Sequence, residues 1–93
     1  MRLSIEIDQN LDNQFGVAET LHSLANLLAQ QGKVEEAAAA YADSIEMGRS
    51  LDDQFGVAQR LHRLANLLSK QGMLEEAAAA YAESIEIGRN LDN

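Results

Sequence analysis

Two histidines, two asparagines and a few cations are the residues of this 93-residue chain whose chemistry could serve a function. His22 and His62 could bind a metal or act as general bases. They stand 40 positions apart at equivalent places in two similar segments, which puts them on neighbouring helices whose axes are about 10 Å apart, too far to share one zinc ion without further ligands. The chain has no Cys and no His-Glu-x-x-His pair to supply those ligands. Ser23 follows His22 directly, but adjacent residues lie about 100° apart around a helix, so no base converges on the hydroxyl. Glu35-Glu36 and Glu75-Glu76 open helices, where carboxylates complement the positive end of the helix dipole. These readings predict no catalysis, no metal and no cofactor.

Asn26 and Asn66 carry a different capability, because a side-chain amide can both donate to and accept from an extended peptide backbone. Exchanging Thr20 for Arg60, Ser23 for Arg63 and Gln30 for Lys70 adds positive charge to the second segment of a chain whose net charge is −8. An acidic peptide or a C-terminal carboxylate is the ligand class such cations imply. The overall negative charge opposes binding to a phosphate backbone, so nucleic acid is not an expected partner. The longest apolar run is far short of the ~18 residues that span a bilayer. The absence of Cys makes a reducing, cytoplasmic setting the expectation.

The elements that position these residues follow from internal repetition. Residues 11–50 and 51–90 are identical at 29 of 40 positions, the signature of stacked supersecondary units. The flanks extend the pattern. Residues 1–10 match the end of a preceding unit, as the truncated second half of its closing helix, and residues 91–93 match the start of another. The expectation is a window from a longer array.

Each unit reads as two helices. From about Gln14 to Gln31, the apolar residues Val17, Leu21, Leu24, Ala25 and Leu28 recur at three and four. Gln31-Gly32 ends this leading helix, because Gly takes the left-handed conformation that closes a helix. The closing helix spans about Val34 to Arg49, with Val34, Ala37, Ala38, Tyr41, Ser44, Ile45 and Gly48 on one stripe and Glu35, Glu36, Asp43 and Glu46 opposite. The second unit repeats the pair at about Gln54–Gln71 and Leu74–Arg89, entered through Asp52 or Asp53 as N-cap. A short separate helix is predicted at about residues 2–9.

Leu21-x2-Leu24-Ala25-x2-Leu28, then Gly32, then Ala37-x3-Tyr41, resembles the tetratricopeptide repeat, whose pattern is W-x2-L-G-x2-Y, A-x3-F and P. The second unit gives Leu61, Leu64, Ala65, Leu68, Gly72, Ala77 and Tyr81 at the same places. The period is 40 instead of 34 and the closing proline is absent. The six extra residues are similar to those of the longer variants in kinesin light chain and spindle-orientation adaptor proteins. The resemblance implies an all-α, short right-handed solenoid acting as a protein–protein interaction scaffold. It also implies a concave groove formed by the leading helices, holding a peptide or partner helix and lined by Glu19, His22, Ser23, Asn26 and Gln30, then Gln59, His62, Arg63, Asn66 and Lys70. The Lys-Asn-Arg pattern of a carboxylate clamp is incomplete, since His22 and His62 occupy its Lys position. An alternative expectation is a self-assembling unit. Its exposed ends would associate head to tail or exchange a helix hairpin through the proline-free junction 48–53, with a closed dimer favoured because the net charge resists open-ended growth.

Overall fold

The computed structural model describes residues 2–92, with side chains described from residue 13 to residue 92. Met1 and Asn93, at the two ends of the expected flanking half-units, lie outside the described residues. Four helices follow in order: α1 (Arg2–Gln30), α2 (Val34–Ser50), α3 (Gln54–Lys70) and α4 (Leu74–Asp92). No strand occurs among the described residues. Each helix packs on the next in sequence, giving a helical-repeat solenoid of 52 × 36 × 14 Å. A body that thin has no deep centre. The largest side chain with under 2% of its surface exposed is Ser44, and contact is made through small residues that let helix backbones approach closely.

Within each repeat the hairpin turn follows from glycine chemistry. Gly32 and Gly72 both take φ +81°. The N–H of Lys33 donates to the carbonyl of Leu28 at 2.9 Å, and that of Met73 to Leu68 at 3.0 Å, satisfying carbonyls the helix end would orphan. Ser44 Oγ donates to the Ala18 carbonyl at 2.7 Å and Ser84 Oγ to the Ala58 carbonyl at 2.8 Å, tying the two helices of each hairpin together.

Between repeats the same wrap is made by an aspartate. Asp52 takes φ +58°, the left-handed region that Asp tolerates better than most residues. The Asp53 N–H donates to the Gly48 carbonyl at 2.8 Å, and the Asp53 carboxylate accepts from the Gly56 N–H at 3.1 Å as the N-cap of α3.

Three sequence expectations need correction. The separate helix at 2–9 does not exist: α1 is one unbroken helix from Arg2 to Gln30. The end of α4 likewise continues to Asp92 instead of stopping near Arg89. Segments 11–18 and 51–58 differ in type only at 13/53, yet one is helix throughout and the other turns. The turn therefore needs tertiary support, supplied at 51–53 by Val57 seated on Gly48 and by the buried Arg60 beside Asp53. Thr20 holds the position equivalent to Arg60. Third, of the stripe Val17, Leu21, Leu24, Ala25 and Leu28, only Ala25 is fully buried, while Val17 and Leu24 are exposed. The α1 face that turns away from α2 has nothing packed against its described side chains. The α2 stripe holds well, with Ala40 as an addition to its buried residues.

Two apolar clusters hold the stack. Ala25, Ala37, Ala40, Tyr41 and Leu67 form one. Ile45, Val57, Leu61, Ala65 and Ala80 form the other. Both span the α2–α3 boundary, so the repeats are joined by the same burial that joins each hairpin.

Candidate functional site

A repeated triplet organises the face of the leading helices. His22 and Asn26 are four residues apart on α1, one turn of helix, and both meet Tyr41 of α2. The Tyr41 hydroxyl donates to Asn26 Oδ1, and the His22 ring stands edge-on to the tyrosine ring at 6.0 Å between centroids. The second repeat builds the same arrangement: Tyr81 donates to Asn66 Oδ1, and His62 lies 5.6 Å from the Tyr81 ring. Burial raises the Tyr41 pKa above its ordinary value, which keeps the hydroxyl a donor. With each amide oxygen engaged, the N–H groups of Asn26 and Asn66 are left as the donors of these side chains. Sequence reasoning missed this clasp, although His-x3-Asn followed fifteen residues later by Tyr is its visible signal in both repeats.

The sequence-derived residues divide between two clefts. Asn26, Gln30, Arg63, Asn66 and Lys70 line one cleft of about 500 Å³ between α1 and α3, with Tyr41 at its wall. His62, Arg63 and Asn66 line a larger one of about 810 Å³ beside α3 and α4, with Phe55, Gln59 and Leu91. Arg63 and Asn66 are common to both clefts and so form the ridge between them. Ser23 is exposed on α1 and belongs to neither.

His22 and Arg60 have other duties. Arg60, one of the three cations expected to add positive charge to the second repeat, is 5% exposed. Its Nε–H donates to His22 Nδ1 at 3.3 Å, its Nη1 lies 3.7 Å from Asp53 Oδ2, and that Nη1 has no hydrogen-bond partner. Its charge serves the joint between repeats, leaving Arg63 and Lys70 as the cations that line the α1–α3 cleft. His22 lines a smaller recess with Glu19, Asp53, Phe55, Gln59 and Arg60. Its pKa is lowered by burial first, then by Arg60 and Arg63, against the opposing pull of Glu19. Neutral His22 accepts the Arg60 bond; the imidazolium cannot.

Among the described residues no group of three or more His, Cys, Asp or Glu could hold a metal ion, and no helix is long and apolar enough to cross a membrane. The chain thus consists of two-helix units with glycine-closed turns, Ala-x3-Tyr on the closing helix and a polar face on the leading helices. The sequence model of the tetratricopeptide repeat matches residues 4–90. The chain belongs to the tetratricopeptide repeat family. Neither the comparison with curated proteins nor that with solved structures finds a match. Tetratricopeptide repeats are in general non-catalytic protein-interaction scaffolds, and among the motif residues Ala25, Ala37, Ala65 and Ala77 serve close packing and Gly32 and Gly72 turn formation.

Proposed function

We propose that this tetratricopeptide segment binds an extended, acidic peptide segment of a protein partner along the α1–α3 groove. The observation that carries the reading is the cleft in which Asn26, Gln30, Arg63, Asn66 and Lys70 converge, with the Tyr41 and Tyr81 hydroxyls engaging the two amide oxygens and so leaving the amide N–H groups as donors. Such a surface selects acceptors: backbone carbonyls at the asparagines, and carboxylates at Arg63 and Lys70. His62 extends the track toward α4. His22 supports it from behind the ridge, and Ser23 stands at its margin. The 40-residue period supports a place among the longer variants of the family. The net charge of −8 favours a protein ligand over nucleic acid.

Two repeats supply only part of a groove, so affinity belongs in the micromolar range or weaker, near −8 kcal/mol at about 1 µM. Titrating a labelled acidic-peptide library by fluorescence anisotropy tests this. Asn66→Ala combined with Arg63→Ala should reduce binding at least about tenfold, a loss of about 1.4 kcal/mol. Unchanged titration curves would remove the groove assignment.

A further inference from the structure

The internal α2–α3 interface has two unfilled twins, one at each end of the stack. On the α3 side the interface presents Val57 (3% exposed) and Leu67 (8%); their equivalents on α1, Val17 and Leu27, are 46% and 51% exposed. On the α2 side it presents Ile45 (5% exposed), whose equivalent Ile85 on α4 is 55% exposed. Gly48 makes the complementarity specific. A Cβ built there would meet Val57 Cγ2 at 2.8 Å, so the valine sits in a notch that only glycine leaves open, whereas at Gly88 a Cβ would meet nothing within 4 Å. One end of the molecule therefore carries the knob without the notch, and the other the notch without the knob.

We propose that these two ends are halves of one interface and that copies of this chain associate head to tail, α4 of one copy packing on α1 of the next as α2 packs on α3. Val17 then occupies the notch at Gly88, and Leu24 and Leu27 cover Tyr81 and Ile85. The charge pattern continues as well. Arg49 pairs with Glu83 at 2.7 Å across the internal boundary; one repeat further on, the same relation sets Arg89 of one copy against Asp43 of the next. The joint is weaker than its internal template, because Asn13 and Thr20 replace Asp53 and Arg60, the pair that braces the internal turn. The proposal does not depend on peptide binding, which uses the groove face.

The test is sedimentation equilibrium of the full 93-residue chain from about 5 µM to about 500 µM, bracketing a weak interface. The weight-average mass should rise above the 10.1 kDa monomer with no plateau at the dimer, because a heterologous contact does not close. Val17→Glu disables the head and Gly88→Arg the tail, each weakening self-association at least about tenfold, with helical circular dichroism retained because both sites are open in the folded chain. Mixed, the two variants should form a one-to-one heterodimer, since each keeps the half the other lacks. Ile85→Glu provides an independent tail variant with the same expectation. A wild-type chain that stays monomeric throughout would overturn the proposal. So would a closed dimer that either variant alone still forms, or a mixture of the two that remains monomeric.

Discussion

Gly16 and Gly56 occupy the same place in the repeat and have opposite structural meaning. A Cβ at Gly56 would collide with Asp53 Oδ2 and stand 2.8 Å from Arg60 Nη1, while one at Gly16 meets nothing within 4 Å. Gly16→Ala should stabilise the chain by up to ~1 kcal/mol, the helix-propensity difference. Gly56→Ala should destabilise it by roughly 1–3 kcal/mol, because displacing the capping carboxylate and a buried guanidinium outweighs that gain. Urea denaturation of the two variants side by side checks the difference in sign. His22 adds a pH dependence. Its folded pKa lies below the ordinary 6.5, so the unfolded chain binds the extra proton in the window between the two values and stability falls as pH drops through it. The stabilisation is fully present above about pH 6.5. Melting temperature should therefore decline between about pH 7 and pH 5.5, before the carboxylates titrate. His22→Gln keeps an acceptor for Arg60 and should flatten that decline; an unchanged slope would mean another group titrates there.

The junction between repeats is the element in which local and tertiary preferences conflict. Leu51-Asp52-Asp53 bends, while the equivalent Leu11-Asp12-Asn13 continues as helix within α1 and Leu91-Asp92 continues as helix within α4. With no proline to forbid it, this motif is helical wherever packing does not hold the turn. The brace is the Asp53 cap with Arg60, and Asp53→Ala removes both the cap and the nearest counter-charge of a buried cation. A loss of roughly 2–4 kcal/mol follows. Asp53→Asn keeps the cap and loses the charge, so it should fall between the two, and thermal melts of both variants separate the contributions. Asp52→Gly acts in the other direction, because glycine takes φ +58° without the cost a Cβ imposes; a gain of up to about 1 kcal/mol is expected. Equal stability of Asp53→Ala and wild type would show that the turn is held by the apolar contact of Val57 on Gly48 alone.

At the scale of the molecule, charge and thinness decide the solution behaviour. Fifteen carboxylates against seven cations on a body 14 Å thick repel one another with little interior to offset them. The exposed pair Arg49–Glu83 returns only about 0.2–1 kcal/mol. Raising salt from about 20 mM to about 300 mM screens both effects, and repulsion is the larger. Thermal stability should therefore rise with salt, as should head-to-tail association. A melting temperature that falls across the same range would show that specific ion pairs dominate.

The repeat, the two-helix unit, the glycine-closed hairpins and the buried face of α2 were legible from residue spacing alone: a 40-residue period, apolar residues at three and four, and Gly at a helix end. The sequence also brought forward Asn26, Gln30, Arg63, Asn66 and Lys70, whose types are unusual on one face and which the fold gathers into one cleft. The burial of Arg60 came from the tertiary structure, since its guanidinium enters the space left by Gly48 and Gly56. Tertiary structure alone decided that Tyr41 and Tyr81 clasp the asparagine amides across fifteen residues. The choice between helix and turn at nearly identical junctions also belongs to it, because local propensities there are matched and the neighbouring repeat supplies the free energy that separates the two outcomes.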